Sequence, residues 1–413
     1  MQNHSLGNRP LPEPPRTPPR QSPAFSRPAA ALITPDDRSA GSGPDLVAVD
    51  CDFPVHYRIG ERSRPDRACK RREKPMVWRL VSRFGRACRA AGIVLAAATW
   101  LAVAIAAEPP IRVGVIGLDA HAIAWEKILA DGPAGNPQLA ALRLVAAVPA
   151  GSPDLPEQQR RLQAGTEHYR AAGIRLCGSI ADLLPLVDAV MILSADGRAH
   201  LDQARPVIAA GKPLFIDKPM AASVAAAREI FQAAAANNVP VFSSSSLRFA
   251  PGTVAIVGDR AIGRILGCDA HSPCGLEPHH PDLFWYGIHG VEALFTIMGP
   301  GCESVSRTRT DDTDLVVGRW TDGRIGTFRG HRRGPHGYGA TVFGSDEIGT
   351  AGRFEGYEPL LVEIATFFRT GRPPVSEAET LEILAFMEAA EASAARGGSP
   401  VPCHVPPAIG GRP

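Results

Sequence analysis

The sequence predicts an α/β fold: a doubly wound parallel sheet, followed by an α+β domain with an open, mostly antiparallel sheet. Three observations carry it. Runs rich in β-branched residues alternate with helical spacings between residues 111 and 236, a Lys-Pro pair closes one of those runs at Lys218-Pro219, and a Thr321-Asp322-Gly323 turn joins two alternating runs further on. Strands alternating with helices imply a parallel sheet with right-handed crossovers, and Asp-Gly between alternating runs marks a hairpin.

The chain begins with unlike material. Residues 1–75 are crowded with Pro, Arg, Ser and Gly (RPLPEPPRTPPRQSP), too poor in periodic apolar residues to offset ordering entropy, and are read as a disordered leader or as sequence upstream of the true start. Met76 opens a second pattern, residues 76–107, in which Arg79, Arg83, Arg86 and Arg89 precede an apolar run from Ile93 to Ala107. That is the order of an export signal. The run is shorter than the roughly 20 residues that span a bilayer, which favours a cleaved signal peptide over a membrane anchor. With Met76 as the start, the protein is exported to the periplasm or beyond, and a membrane is a partner only if the leader stays uncleaved. A net charge of +2, with the Arg excess mostly in the leader, leaves no basic face for nucleic acid. Beyond the leader stand Cys177, Cys268, Cys274, Cys302 and Cys403, an odd number without CxxC spacing, so no disulfide framework is indicated.

Residues 108–238 form the predicted first domain. Ile111 to Gly117 (IRVGVIG) is a strand and tight turn, and Ala120 to Ala130 carries Ile123, Ile128 and Leu129 at helical spacing. Leu142 to Val148 and Ala189 to Leu193 are further strands. Pro213 to Ile216 follows a Gly211-Lys212 helix stop and runs through Asp217-Lys218-Pro219 into a helix over 223–236. The order is Rossmann-like. Ligands of such sheets sit beyond the carboxyl ends of the strands, so Lys218 can reach one; the plain alternative is a solvated turn lysine.

Residues 239–401 are the predicted second domain, with 402–413 a flexible tail. Val239 to Ser243 leads into SSSSLRF, Leu315 to Trp320 and Ile325 to Phe328 flank the hairpin turn, and a later helix places Leu360, Ile364, Phe367 and Phe368 toward a core. Histidines concentrate between His271 and His289, and His289 opens a helix with Glu292 and Leu294.

The stretch VDAVMILSADGRAHLDQARPVIAAGKPLFIDKPMAAS resembles the segment of Gfo/Idh/MocA oxidoreductases that runs from a strand to their Glu-Lys-Pro motif. Asp217-Lys218-Pro219 is that motif with Asp for Glu; His200 and the pair Arg248-Phe249 also match, and the resemblance extends over about residues 111–401. It implies NAD or NADP in the first domain, a sugar, inositol or related polyol against the second, and a homo-oligomer built through the open sheet. In the family's second motif an aspartate stands four residues before a histidine. His289 fits the histidine, Trp285 occupies the aspartate position, and Asp282 could replace that carboxylate only from another place.

The dinucleotide fingerprint GxGxxG reads Gly117-Leu118-Asp119-Ala120-His121-Ala122. Ala122 is an accepted third position, but Asp119 sets a carboxylate where the pyrophosphate should lie, and like charges in a partly dry turn repel by kilocalories. Either the turn directs Asp119 away or dinucleotide binding is lost. Gly114, Gly117, Ala122, Ser194, His200, Asp217, Lys218 and Pro219 are the expected cofactor side. After the second strand, Asp154 would favour NAD by accepting from the ribose, whereas Ser152 would tolerate a 2'-phosphate, so the cofactor form stays open. Lys218 and His289 are the expected catalytic pair, with Arg248, Asp282, Trp285 and Tyr286 on the substrate side. Imidazole exchanges protons near neutrality and an ammonium in a dry cleft stabilises an oxyanion; a structural histidine bonded to a neighbouring carbonyl is the plain alternative for His289.

Two other classes compete. Asp119, Trp285 and export fit a redox-silent nucleotide- or sugar-binding protein of the same fold. A metal-dependent hydrolase could draw on His271, Cys274, His279, His280 or Asp282, although their spacing matches no closed zinc site, and no metal site is predicted.

Overall fold

A computed structural model describes residues 109–405; the expected leader over 1–75, the expected export signal over 76–107 and the part of the expected tail beyond 405 lie outside the described residues. The first sheet is built by β1 (Ile111–Ile116), α1 (Ala122–Gly135), β2 (Leu142–Val148), α2 (Pro156–Ala171), β3 (Arg175–Leu176), α3 (Ile180–Leu183), β4 (Ala189–Ile192), α4 (His200–Ala209), β5 (Leu214–Asp217), α5 (Val224–Ala236) and β6 (Val241–Ser244). Its strands are all parallel, in the order β3-β2-β1-β4-β5-β6. The order reverses between β1 and β4, which opens a crevice beyond their carboxyl ends. The expected boundary at 238 falls short of β6, the last strand of this sheet.

The second sheet follows from α6 (Pro251–Gly258), β7 (Ile265–Pro273), α7 (Ile288–Met298), β8 (Cys302–Arg309), β9 (Thr313–Trp320), β10 (Ile325–His331), β11 (Gly339–Gly344), β12 (Ile348–Ala351), α8 (Glu358–Thr370), α9 (Glu377–Ala395) and β13 (Val401–Pro402). Its order is β12-β11-β7-β10-β9-β8-β13, antiparallel except where β7 and β10 run together. Gly323 takes a positive φ of 87° in the β9–β10 turn, the conformation that the Asp-Gly pair supplies without a Cβ penalty.

Packing against both sheets fixes the site. Helix α7 is apolar on nearly every side and lies on the second sheet, so close that a Cβ on Gly290 would stand 2.4 Å from the Phe328 ring. A single π-helical turn, Leu283–Gly287, feeds into it. Helix α8 crosses to the first sheet instead: Leu360, Leu361, Ile364 and Phe367 share one core with Trp125, Phe215 and Phe242, and the Phe242 and Phe367 rings meet edge to face at 4.8 Å. Its amphipathic spacing is legible in sequence, but its partner, far away along the chain, is not.

Candidate active site

The turns after β1, β4 and β5 face the π-helical turn and the start of α7 across a crevice of about 370 Å³, walled by Asp119, His121, Lys218, Trp285, Tyr286 and His289. Tight apolar strands end here, and the turns that follow carry polar residues because their backbone no longer pairs within the sheet. Lys218, joined to Pro219 by a cis peptide, is only 6% exposed. It is therefore not a solvated turn lysine. Among the described residues its Nζ has no hydrogen-bond partner and stands 6.0 Å from the centre of the Tyr286 ring.

Asp217 is buried behind it. One carboxylate oxygen accepts from the Lys218 amide at 2.9 Å and the other lies 2.6 Å from His121 Nδ1. Burial alone would push this carboxyl up, but the charges of His121 and Lys218, with those bonds, hold it below the usual carboxylate range. Across the crevice, His289 Nδ1 is 2.8 Å from Ser245 Oγ, which leaves Nε2 for a ligand. Burial first, then the neighbouring charges of Lys218 and His121, push the His289 imidazole well below its ordinary value, so at neutral pH it is a free base.

Aromatic rings enclose this polar centre. The Tyr286 and Tyr338 hydroxyls are 2.9 Å apart, and Phe354 and Tyr357 continue the wall to His121, whose ring lies 5.0 Å from that of Tyr357. The sequence reading missed His121, Tyr338, Phe354 and Tyr357. The first sits inside the fingerprint and carried a signal; the others lie in glycine-flanked loops that only the folded chain brings to α7.

At the phosphate turn, Gly117 has φ 85°, and a Cβ there would stand 2.3 Å from Ser194 Oγ, so glycine is required. The first turn of α1 holds no acidic residue and no side-chain cap, leaving amides that suit an anion. Asp119 does not point away. Its carboxylate is buried on the crevice wall and accepts from the amides of Ala195 at 3.0 Å and Ala120 at 2.8 Å. Burial pushes its carboxyl above the usual range, against the pull of those amides. A dinucleotide thus fits this turn everywhere except at Asp119.

Other expected site residues stand apart from the crevice. Asp154 is bound by Arg198 at 2.9 and 3.0 Å, while Ser152 donates to Asp196, which also holds Arg198, so neither is a free ribose partner. Gly114 lies within β1 where a Cβ would strike Leu183, a packing role rather than a phosphate contact. Ala122 is buried and gives its carbonyl to the Tyr169 hydroxyl at 3.1 Å. Ser194 bonds Gln203 at 3.0 Å, and the buried His200 spans the carbonyls of Ser194 at 2.8 Å and Pro219 at 2.9 Å. His200 therefore ties the turn after β4 to the one after β5 rather than touching a cofactor.

Two substrate-side expectations are corrected. Arg248 is buried between Glu292 at 3.0 Å and Glu379 at 2.8 Å and is not on the crevice wall, so it does not orient a hydroxyl there. Asp282 is taken by Arg307 and Arg309 and caps the π-helical turn through the Leu283 amide. The histidine cluster disperses as well: His279 faces Glu277, His280 is buried near Asp196, and Cys274 is buried, its thiol pushed up to about 12 chiefly by that burial. Among the described residues no three His, Cys, Asp or Glu side chains converge on a point that could hold a metal.

Residues 111–245 match the oxidoreductase family described as GFO_IDH_MocA, with an NAD-binding Rossmann fold. A curated relative, inositol 2-dehydrogenase of Cereibacter sphaeroides, is 41% identical over 63 residues, a stretch that covers 15% of this chain and 19% of that protein. GenD2 from gentamicin A biosynthesis, solved in complex with NAD, superposes with a TM-score of 0.58 at 20% identity, covering 71% of this chain and 96% of that one. A myo-inositol dehydrogenase candidate from Sinorhizobium meliloti gives 0.58 at 20% identity, covering 71% and 100%. At those identities the solved structures speak for the two-domain fold.

Proposed function

We propose that this chain, whose residues 111–245 are those of a Gfo/Idh/MocA oxidoreductase, transfers a hydride between NAD or NADP and a secondary alcohol of a sugar, inositol or related polyol. The observation that carries the reading is the convergence of Lys218 and His289 on one crevice at the switch point of the parallel sheet. A nicotinamide bound there supplies the hydride acceptor or donor. The amides of the first turn of α1 and the Gly117 turn would hold its phosphates, and Lys218 lies between them and the substrate wall. The chain's own chemistry is the proton. His289, neutral and fixed through Ser245, takes the hydroxyl proton at Nε2, and the unpaired Lys218 ammonium stabilises the alkoxide that forms. Trp285 and Tyr286 offer faces on which a ring's C–H groups stack and exclude water. Titration of the purified protein with NADH and NADPH, followed by a screen of cyclitols and sugars for a change in nicotinamide absorbance, tests the reading; nucleotide binding without turnover of any of them would reject it, and turnover unchanged in Lys218→Ala would remove Lys218 from the mechanism.

One observation favours a second reading, a redox-silent binding protein: the Asp119 carboxylate already sits on amides that a pyrophosphate would use. Absence of nucleotide binding at millimolar concentration would select it. Assembly through the outer face of the second sheet, where Ile325 is 54% exposed opposite Arg319 and half-buried Val317 and Leu315 follow along β9, completes the proposal, and light scattering that returns a monomer would remove that part.

A further inference from the structure

Asp119 sits where two demands conflict. Its carboxylate is 4% exposed and accepts three contacts from backbone amides, two from Ala195 at 3.0 and 3.2 Å and one from Ala120 at 2.8 Å. Those amides turn toward the crevice, and the adjoining start of α1 is the natural seat of a phosphate. A pyrophosphate placed there would meet a fixed anion within a few ångströms in a site shielded from water, where like charges repel far more strongly than in solvent.

We infer that a dinucleotide enters this crevice together with one proton, which Asp119 takes up from solvent, so that its carboxylic acid donates to the pyrophosphate while its other oxygen keeps the Ala195 amide. The step rests on the dinucleotide reading proposed above. It forms one O–H bond on Asp119 and breaks none in the ligand. The acid state is within reach because burial already favours it. Other charged or titratable groups on the crevice wall are His121, Glu157, Arg161, Lys218, Glu277 and His289, along with the hydroxyls of Tyr286 and Tyr357. Gln158 on α2 stands close enough to pull the carboxyl down, but its Nε2 is buried without a hydrogen-bond partner. None of these is an anion seated on the phosphate amides, so the proton is assigned to Asp119 and its assignment is open to substitution.

The test uses the full chain and NADH as the probe. Calorimetric titrations in two buffers of different ionisation heat read the protons taken up per NADH, and the dissociation constant is followed with pH. Expected are an uptake that approaches one proton and, above the Asp119 titration, an affinity that weakens about tenfold per pH unit. Asp119→Asn, which keeps the shape and one acceptor oxygen, should abolish both and bind NADH tightly at neutral pH; Asp119→Gly repeats the test without a side chain. Wild-type binding with no uptake and a flat pH dependence overturns the inference, as does uptake that persists in Asp119→Asn. Binding by the variants alone, with the wild type silent across its folded pH range, overturns it in favour of outright exclusion. Failure of all three proteins to bind at any pH overturns it together with the dinucleotide reading, and only that outcome removes both.

Discussion

His121 Nδ1 lies 2.6 Å from Asp217 Oδ2, so one partly buried hydrogen bond ties the phosphate turn after β1 to the lysine turn after β5. The His121 ring is in turn stacked on Trp125, with centroids 5.5 Å apart and planes 4° from parallel. Asp217→Ala leaves both His121 and the Lys218 amide without their acceptor, and a buried donor stranded in this way costs about 1–3 kcal/mol. Asp217→Asn retains an acceptor for the Lys218 amide and should cost less than half as much. Urea denaturation of the two variants checks the order; equal stability of Asp217→Ala and wild type would show that the bond ties nothing.

Lys218 gives the opposite expectation. Its ammonium is nearly buried and has no hydrogen-bond partner among the described residues, an arrangement that costs folding free energy and is retained for what it does to a ligand. Lys218→Met keeps the apolar stem and removes the charge. Turnover should fall by about 10²–10³-fold, the scale of losing one preorganised electrostatic group, while the melting temperature stays level or rises. A variant that loses stability and activity in step would instead make Lys218 a structural residue.

Arg248 belongs to the fold. Its guanidinium bridges Glu292 and Glu379 beneath the crevice, and Glu292 also accepts from the Ser244 hydroxyl at 2.5 Å and the Ser245 amide at 2.7 Å. Removing one member of a buried ion pair leaves an uncompensated charge and costs roughly 3–5 kcal/mol. Arg248→Met should lose that much in chemical denaturation, and the folded fraction should keep the wild-type KM. A raised KM at unchanged stability would return Arg248 to the substrate side.

The parallel sheet was legible because its strands are short apolar runs closed by Gly and Pro turns, and because Lys218-Pro219 lies at such a turn. Lys218, His289, Trp285 and Tyr286, singled out by motif and neighbourhood in the sequence, line one crevice. Arg248 and Asp282 were misplaced for a common reason: a charged residue beside a motif looks available until its partners are known, and Glu379 and Arg307 come from distant elements. Tyr338 and Tyr357 were invisible for the converse reason, since no local periodicity marks a loop aromatic whose role is set by packing against α7 and α1. Asp119 was recognised as a conflict. Its resolution, a carboxylate seated on the Ala195 amide 76 residues away, depends on the contact between the turns after β1 and β4.

The same burial that readies His289 as a base should be visible in stability against pH. Its folded-state imidazole titrates well below the ordinary value near 6.5, whereas in the unfolded chain it titrates at that value. As pH falls through about 6.5 the unfolded state takes up a proton that the folded state refuses, so stability declines with falling pH until the depressed folded value is reached. One such group contributes a slope of up to about 1.4 kcal/mol per pH unit. His280 and His331 are also lowered, first by burial, and add slopes of the same sign, so the test is a difference. His289→Asn keeps a side chain able to bond Ser245 Oγ and cannot be protonated in this range. Urea denaturation of wild type and variant should give curves whose gap narrows by roughly a kilocalorie per unit between pH 6.5 and 5.5, in favour of the variant at the acid end. A constant gap would mean that His289 is protonated as readily in the folded protein as in water, so that burial does nothing to ready it as a base.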